Sequence, residues 1–466
     1  MNRRTFIGAV ATGLTLAQSP DLLRGAPQTG LAAPNPAWLG NRPLVIVGNW
    51  DSIPLFQTRE GGEPVWLETE DRKDSSERAV SRLKDIGVSM AIIHFFKGFG
   101  LVAEKDHIAA AKSLAALLKK YEIRVGLYVG STIAYETFLL EKPEAEEWFV
   151  PDYLGDPVFY DDQTFRKRVY FMHPGYVDYI KRVVRIGIEE LKADDMDFDN
   201  TSWQARPAIF QHPLAVEDFR AYLRNNHSPE ELTERLGFSD VKYVLPPKYG
   251  RPLTTINDPL FQLWADFRCY QLNAYYAEMR ALIRELNPQA ALSANPSSGM
   301  AGVNTIWVQG TSYPGLVPHL DLVWTEEGNN AAISADGILI SKIRTYKMAT
   351  ILNSRILTYT AGSHDIAGSL ALAESMAFNR QTLGMVGGML AGSQLPAGQR
   401  RYVKFFHDNF DCYRGVENVP EVAVLYSYAT MGFNNDRPAV SFMLFTQTLI
   451  QARIPFDIIF DEQLED

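Results

Sequence analysis

Cysteine is almost missing from this chain. Its 466 residues hold two, Cys269 and Cys412, too few for a disulfide framework and without metal-ligand spacing. Histidine numbers only 8, with no H-x-H or H-E-x-x-H among them, which disfavours a metal-dependent hydrolase; neither a metal nor another cofactor is expected. An excess of positive charge is missing too. Lys and Arg number 45 against 55 Asp and Glu, a net charge of −10, so the basic footprint that phosphate backbones require is absent and nucleic acid is not an expected partner. No G-x-G-x-x-G or Walker sequence follows the first strand-like run, which removes the usual nucleotide sites of open α/β sheets. Beyond the leader no stretch reaches the roughly 18 apolar residues of a membrane helix, so no membrane span is expected in the mature form.

What is present begins with "MNRRTFIGAVATGLTLAQSP". A twin arginine (Arg3-Arg4), an apolar run from Phe6 to about Ala17 and small residues after it read as an export signal over residues 1–33. The mature chain is then expected to start between Gln18 and Pro34, in the periplasm or outside the cell.

From residue 43 to 415, β-like and helix-like runs alternate. The strand-like runs are "PLVIVGNWD", "VSMAIIHFFKGFG", "IRVGLYVGS", "DDMDFDN", "AALSANPSS", "LDLVWTEEG", "SRILTYTAG" and a glycine-rich "GMVGGMLAG". Helices are expected from Asp74, with Glu77 as a capping box, to Ile86; from Asp106 to Tyr121; from Pro174 to Leu191; from Asp258-Pro259; and from Gln399 to Tyr413. Eight such units predict an α/β fold, a closed (β/α)₈ TIM barrel rather than an open doubly wound sheet. Between residues 420 and 466 the pattern restarts with "VAVLYSY", a helix-like run and "IPFDIIFDEQLED". This reads as the β-α-β opening of a further α/β domain, either incomplete or packed on the barrel, because so short a piece cannot bury both faces of a parallel sheet.

In such a barrel the chemistry gathers at the C-terminal ends of the strands. Those ends present Trp50 and Asp51 on the first strand, His94 and Lys97 on the second, and Tyr128 and Ser131 on the third. The fourth offers Asp197, Asp199, Asn200 and Trp203, the fifth Asn295, the sixth Trp324, Glu326 and Glu327, and the seventh Tyr359, His364 and Asp365. Two carboxylate clusters stand out, on strands four and six, and glycosidic cleavage needs two carboxyl groups flanking the bond. Period two places Asp197 and Asp199 on one face. Asp199, nearer the mouth, reads as nucleophile and Asp197 as a supporting charge; Asp194 and Asp195 read as solvated residues before the strand. Glu326 is slightly preferred over Glu327 as acid/base. Alternatively, Asp197, Asp199 and Asn200 could ligate calcium. Trp50, Trp203 and Trp324 could stack on a pyranose.

"HFFKGFG", "DFDNTSW" and "DLVWTEEGN" together resemble the amylase-like and β-galactosidase-like (β/α)₈ glycoside hydrolases, and among them the group called hypothetical glycosyl hydrolase 6. The restart at "VAVLYSY" and "ARIPFDIIFDEQLED" resembles the opening of the glutamine-amidotransferase-like domain that mediates trimerisation in family 42 β-galactosidases, and so implies that a homo-oligomer is possible. The resemblance covers roughly Leu44 to Asp466. It implies an exported carbohydrate-active enzyme acting on an oligo- or polysaccharide. By analogy with α-galactosidase-like barrels it gives Asp199 the nucleophile's role and Glu326 or Glu327 the acid's. Family 42 enzymes instead use glutamates on strands four and seven, where this chain has Asp and "YTAGSHD", so β-galactosidase activity itself is not implied. The competing expectation is a catalytically inactive barrel that binds sugars through its aromatics.

Overall fold

The computed structural model describes residues 35–49, 53–130, 133–152, 154–160, 163–203, 212–247, 255–296, 304–327, 330–358, 360, 365–389, 394–434 and 437–464. The leader and the site candidates Trp50, Asp51, Ser131, Tyr359 and His364 lie outside these residues.

Eight parallel strands form one sheet: β1 (Leu44–Asn49), β2 (Met90–Phe96), β3 (Arg124–Gly130), β4 (Asp195–Asp199), β5 (Ala291–Asn295), β6 (Leu322–Trp324), β7 (Arg355–Leu357) and β8 (Thr382–Met385). From β2 to β7 each strand is hydrogen-bonded to the one before it in sequence, and β8 pairs with β1. The remaining seam is closed by two backbone bonds: Met385 N–H donates to the Thr358 carbonyl (2.8 Å) and Thr360 N–H to the Met385 carbonyl (3.0 Å). Gly384 makes that approach possible. Its φ is +73°, and a Cβ there would meet the Thr358 carbonyl oxygen at 2.8 Å, so glycine is required. The result is the expected (β/α)₈ barrel.

Alternation sorts the strand residues. Val45, Val47, Ala91 and Ile93 face the surrounding helices, while Ile46, Met90, Ile92, Tyr128, Trp324, Leu357 and Met385 fill the barrel. Both faces are buried, as a parallel sheet demands.

Among the helices that follow β1 to β4 are α1 (Glu77–Asp85), α2 (Lys105–Lys120), α3 (Pro174–Arg185) and α4 (Pro259–Leu286). As the sequence predicts, Asp258 caps α4 by accepting from Leu260 N–H, with Pro259 in the first turn. The expected cap at Asp74 is displaced. Asp74 ends a preceding helix, Pro64–Asp74, and Ser76 accepts the Ala79 N–H instead. The third helix leaves α geometry at Ile186 for a π-helical turn, Ile186–Glu190. The eighth strand starts earlier than the glycine run implied and stops at Met385, before Gly387 and Gly388. Later come α5 (Ile343–Ile351), α6 (Asp365–Phe378) and α7 (Ala397–Asp408), the last shorter than expected and followed by a 3₁₀ turn, Phe410–Cys412.

After the barrel, β9 (Val422–Tyr426), α8 (Arg437–Gln451) and β10 (Phe456–Phe460) form a two-stranded parallel unit. It packs on the barrel through polar bonds: Tyr428 donates to Asp266 of α4 (3.0 Å) and Lys347 of α5 pairs with Asp457 (3.5 Å). Among the described residues no helix is long and apolar enough to cross a membrane.

Candidate active site

The short segment Asp195–Asp199 builds most of the site. Met196 and Phe198 turn outward, Phe198 meeting the Tyr275 and Tyr276 rings of α4 edge-on. Asp195, Asp197 and Asp199 therefore rise in one column on the inner face. β5 runs alongside in register, with Ser293 opposite Asp197 and Asn295 opposite Asp199.

Asp195 corrects the sequence expectation, for it is fully buried rather than solvated. Only Asp194 sits at the rim, paired with Arg124 at 2.9 Å. Ser293 Oγ lies 2.7 Å from both Asp195 Oδ2 and Asp197 Oδ1. One hydroxyl proton can satisfy only one of them, so a carboxyl proton from the other side completes the set. Burial favours that proton: it pushes Asp195 well up, with Asp197 adding to the effect, and pushes Asp197 to about 7, with Asp199 adding a smaller push.

Asp199 at the top of the column is only part-buried and accepts hydrogen bonds from Tyr128, Asn200 and Asn295. Tyr128 O–H donates to Oδ2 at 2.7 Å, Asn200 Nδ2 to Oδ2 at 2.6 Å, and Asn295 Nδ2 to Oδ1 at 3.0 Å. Asn200 reaches back because its backbone is left-handed, φ +62°, a conformation asparagine tolerates. Tyr128 is itself placed by Lys97, whose Nζ donates to its oxygen at 3.2 Å. The loop bearing Lys97 is clasped by Glu104, a residue the strand-end reading missed. Its buried carboxylate accepts the N–H groups of Lys97, Gly98 and Phe99 at 2.7 to 2.9 Å. His94 lies beside the same carboxylate, 3.4 Å away.

The two adjacent glutamates after β6 part company. Glu326 is exposed at the mouth and its Oε1 lies 3.3 Å from Asn295 Nδ2. Glu327 turns to α5, where Thr345 O–H donates to it at 2.6 Å. There it joins a buried polar cluster in which Lys342 N–H donates to Glu374 and burial pushes Glu374 to about 7.

Two of the proposed stacking indoles are not available as platforms. Trp203 is 2% exposed; it donates to the Arg268 carbonyl and packs among Tyr170, Phe171 and Trp264. Trp324, 4% exposed, belongs to the barrel filling. Asp365 opens α6 against Gly398 and is not brought to the column. Among the described residues no group of three or more His, Cys, Asp or Glu converges as a metal would require; the carboxylates of Asp197 and Asp199 are directed to Ser293 and to the three donors above.

The long segment after β3 contributes a wall. Gln163–Lys167 pairs antiparallel with Phe159–Tyr160 and with Ile133–Ala134. Tyr160 sits near the carboxylates: burial raises its hydroxyl, and the charge of Asp199, then more weakly that of Glu326, raises it further against Arg166 and Arg168. The two guanidinium groups lie over its ring at 4.2 and 4.6 Å. The period-two placement of arginines in "FRKRVY" was the available signal.

The molecule is thus a (β/α)₈ barrel with a carboxylate-lined mouth at the C-terminal ends of its strands. No family model matches the sequence, and no curated protein matches it. Solved structures do. The chain is similar to a GH42 β-galactosidase from G. stearothermophilus, with a TM-score of 0.66 and 15% identity over 91% of this chain and 66% of that one. The β-galactosidase of Rahnella sp. R3 gives a TM-score of 0.68 at 12% identity over 92% and 66%. That of the haloarchaeon Halorubrum lacusprofundi gives 0.61 at 15% over 82% and 64%. This chain therefore spans about two thirds of their length, and at such identities the likeness is one of fold.

Proposed function

We propose that the chain is an exported glycoside hydrolase that cleaves O-glycosidic bonds with Asp199 as nucleophile and Glu326 as general acid. The observation that carries this reading is Asn295. A single amide nitrogen reaches Asp199 at 3.0 Å and Glu326 at 3.3 Å, which keeps the two oxygens closer than the roughly 6.5–9.5 Å of an inverting carboxyl pair. The reading takes the reaction as retaining, the course that closely set carboxyl groups serve. Glu326, facing solvent, gives a proton to the departing glycosidic oxygen while Asp199 attacks the anomeric carbon; water then enters on the same face with Glu326 as base. The donors on Asp199 orient it, and the Tyr128 bond weakens as the carboxylate's charge is consumed. The fold neighbours, β-galactosidases by title, support glycosidic chemistry in general; the Asp on β4 argues against copying their substrate.

The test is hydrolysis of a panel of aryl glycosides and oligosaccharides. Asp199→Asn is expected to lower turnover by about 10³-fold or more, on the scale of losing the nucleophile. Glu326→Gln should lower it least for good leaving groups, which need little protonation. Anomeric retention in the first product, read by NMR, completes the expected pattern. Full turnover in both variants sinks the assignment. Sugar binding without turnover in the unmodified protein favours the inactive sugar-binding barrel. Export is tested by changing Arg3-Arg4 to Lys-Lys, which should hold the protein in the cytoplasm; unchanged export removes the twin-arginine reading.

A further inference from the structure

Arg166 is the least explained charge near the mouth. It is 4% exposed, and a guanidinium stays charged even when buried. Its Nη1 donates to Gln163 at 3.0 Å, yet its Nε and Nη2 are buried without a hydrogen-bond partner among the described residues. These two nitrogens form one edge of the guanidinium, where their N–H bonds run parallel. Such an edge matches the two oxygens of a carboxylate. The group lies over the Tyr160 ring at 4.2 Å and beside Phe56 at 5.2 Å. Tyr160 in turn is close enough to Asp199 and Glu326 to feel their charges. Arg168 lies over the other part of this wall, and the Lys97 ammonium is 4.4 Å from Phe56. Lys97, Arg166 and Arg168, all more than nine-tenths buried, thus stand along this wall beside the acidic pair, charges that the holding of a neutral sugar does not require.

We infer that Arg166 is the anchor of a carboxylate-binding subsite, and that the sugar ring taken at Asp199 is a uronic acid. In a hexuronate the carboxylate stands on C5, across the ring oxygen from the anomeric carbon, so a ring attacked by Asp199 turns its carboxylate to the wall of the same pocket. The subsite supplies the missing acceptor for Nε and Nη2, and the fork rejects the neutral hexose by leaving both donors idle. Its placement rests on the glycosidase reading; its binding chemistry does not.

The experiment is calorimetric titration of the full chain with galacturonic acid, glucuronic acid and the methyl ester of each, which removes the charge alone. At least one acid should bind about tenfold or more tighter than its ester, the scale of a charged hydrogen-bonded pair, with the preference shrinking as salt rises. Arg166→Gln should abolish the preference and Arg166→Lys retain part of it, with thermal melts confirming that both variants fold. Acid and ester binding alike, or a preference that survives Arg166→Gln, overturns the subsite. Aryl glycosides separate the two readings. Cleavage of neutral hexosides with no acid preference leaves the hydrolase standing and removes the subsite. Arg166-dependent uronate binding with no cleavage of aryl hexosides or aryl uronides does the reverse.

Discussion

The hydroxyl of Thr345 donates to Glu327 across 2.6 Å, and this bond draws the second of two neighbouring glutamates out of the barrel mouth. Glu326, one residue earlier, stays at the mouth within 3.3 Å of the Asn295 amide. Adjacent side chains at the end of a strand point to opposite sides, and α5 offers Glu327 a hydroxyl there.

Glu327→Gln is therefore expected to leave turnover within about twofold of the unmodified protein while lowering stability by on the order of 1 kcal/mol, the net value of a part-buried hydrogen bond. Parallel assays of turnover and urea unfolding check it. A collapse of turnover in a folded Glu327→Gln protein would exchange the roles of the two glutamates.

The Asp column predicts a pH dependence of stability. Asp197 is pushed by burial to about 7 in the folded chain, from an ordinary value of 3.8. Between those limits the native state holds a proton that the unfolded chain releases, so the contribution is full below pH 4 and fades as pH rises through 7. Asp266 and Glu374, both also pushed to about 7, act in the same direction. The protein should accordingly be more stable at pH 5 than at pH 8. Asp197→Asn, which keeps a hydrogen-bonding group beside Ser293, should remove on the order of 2 kcal/mol of that difference. Denaturation midpoints at the two pH values decide it; an unaltered difference means that Asp197 is ionised in the folded state throughout.

Trp203 separates core from cleft. It is 2% exposed and ringed by aromatic side chains. Trp203→Ala should cost about 3–5 kcal/mol of stability, the range for emptying a large buried site. Trp203→Phe should cost less and leave sugar affinity within about twofold, since an edge-packed indole inside the core has no face to offer a pyranose. A selective loss of sugar binding with unchanged unfolding would restore it to the cleft.

Much of the architecture was legible before the structure. Strand-like runs of Val, Ile, Leu and Phe alternating with capped helices predict the barrel, and Asp258-Pro259 marks the start of α4 to the residue. The eighth strand was harder, because Gly384, Gly387 and Gly388 carry no side-chain pattern, and the closing contact with Thr358 is made by backbone. Asp74 misled because an acidic residue three positions before Glu77 looks like a capping box whether or not another helix already ends on it.

The site divides in the same way. Period two in "DMDFD" determines by itself that Asp195, Asp197 and Asp199 share a face and that Met196 and Phe198 share the other, because a strand has no second way to place alternate side chains. Nothing local to the chain determines which face is dry. Only the closed barrel decides that Asp195 is buried with Ser293, that Trp203 belongs to the core, and that Asn295 joins Asp199 to Glu326, since each depends on residues about 65 to 100 or more positions away. Arg166 and Arg168 show the same limit. Their spacing is visible in the sequence, but the wall they form exists only where a long excursion folds back over the strand ends, and the desolvation that gives an idle guanidinium its meaning is a property of that packing alone.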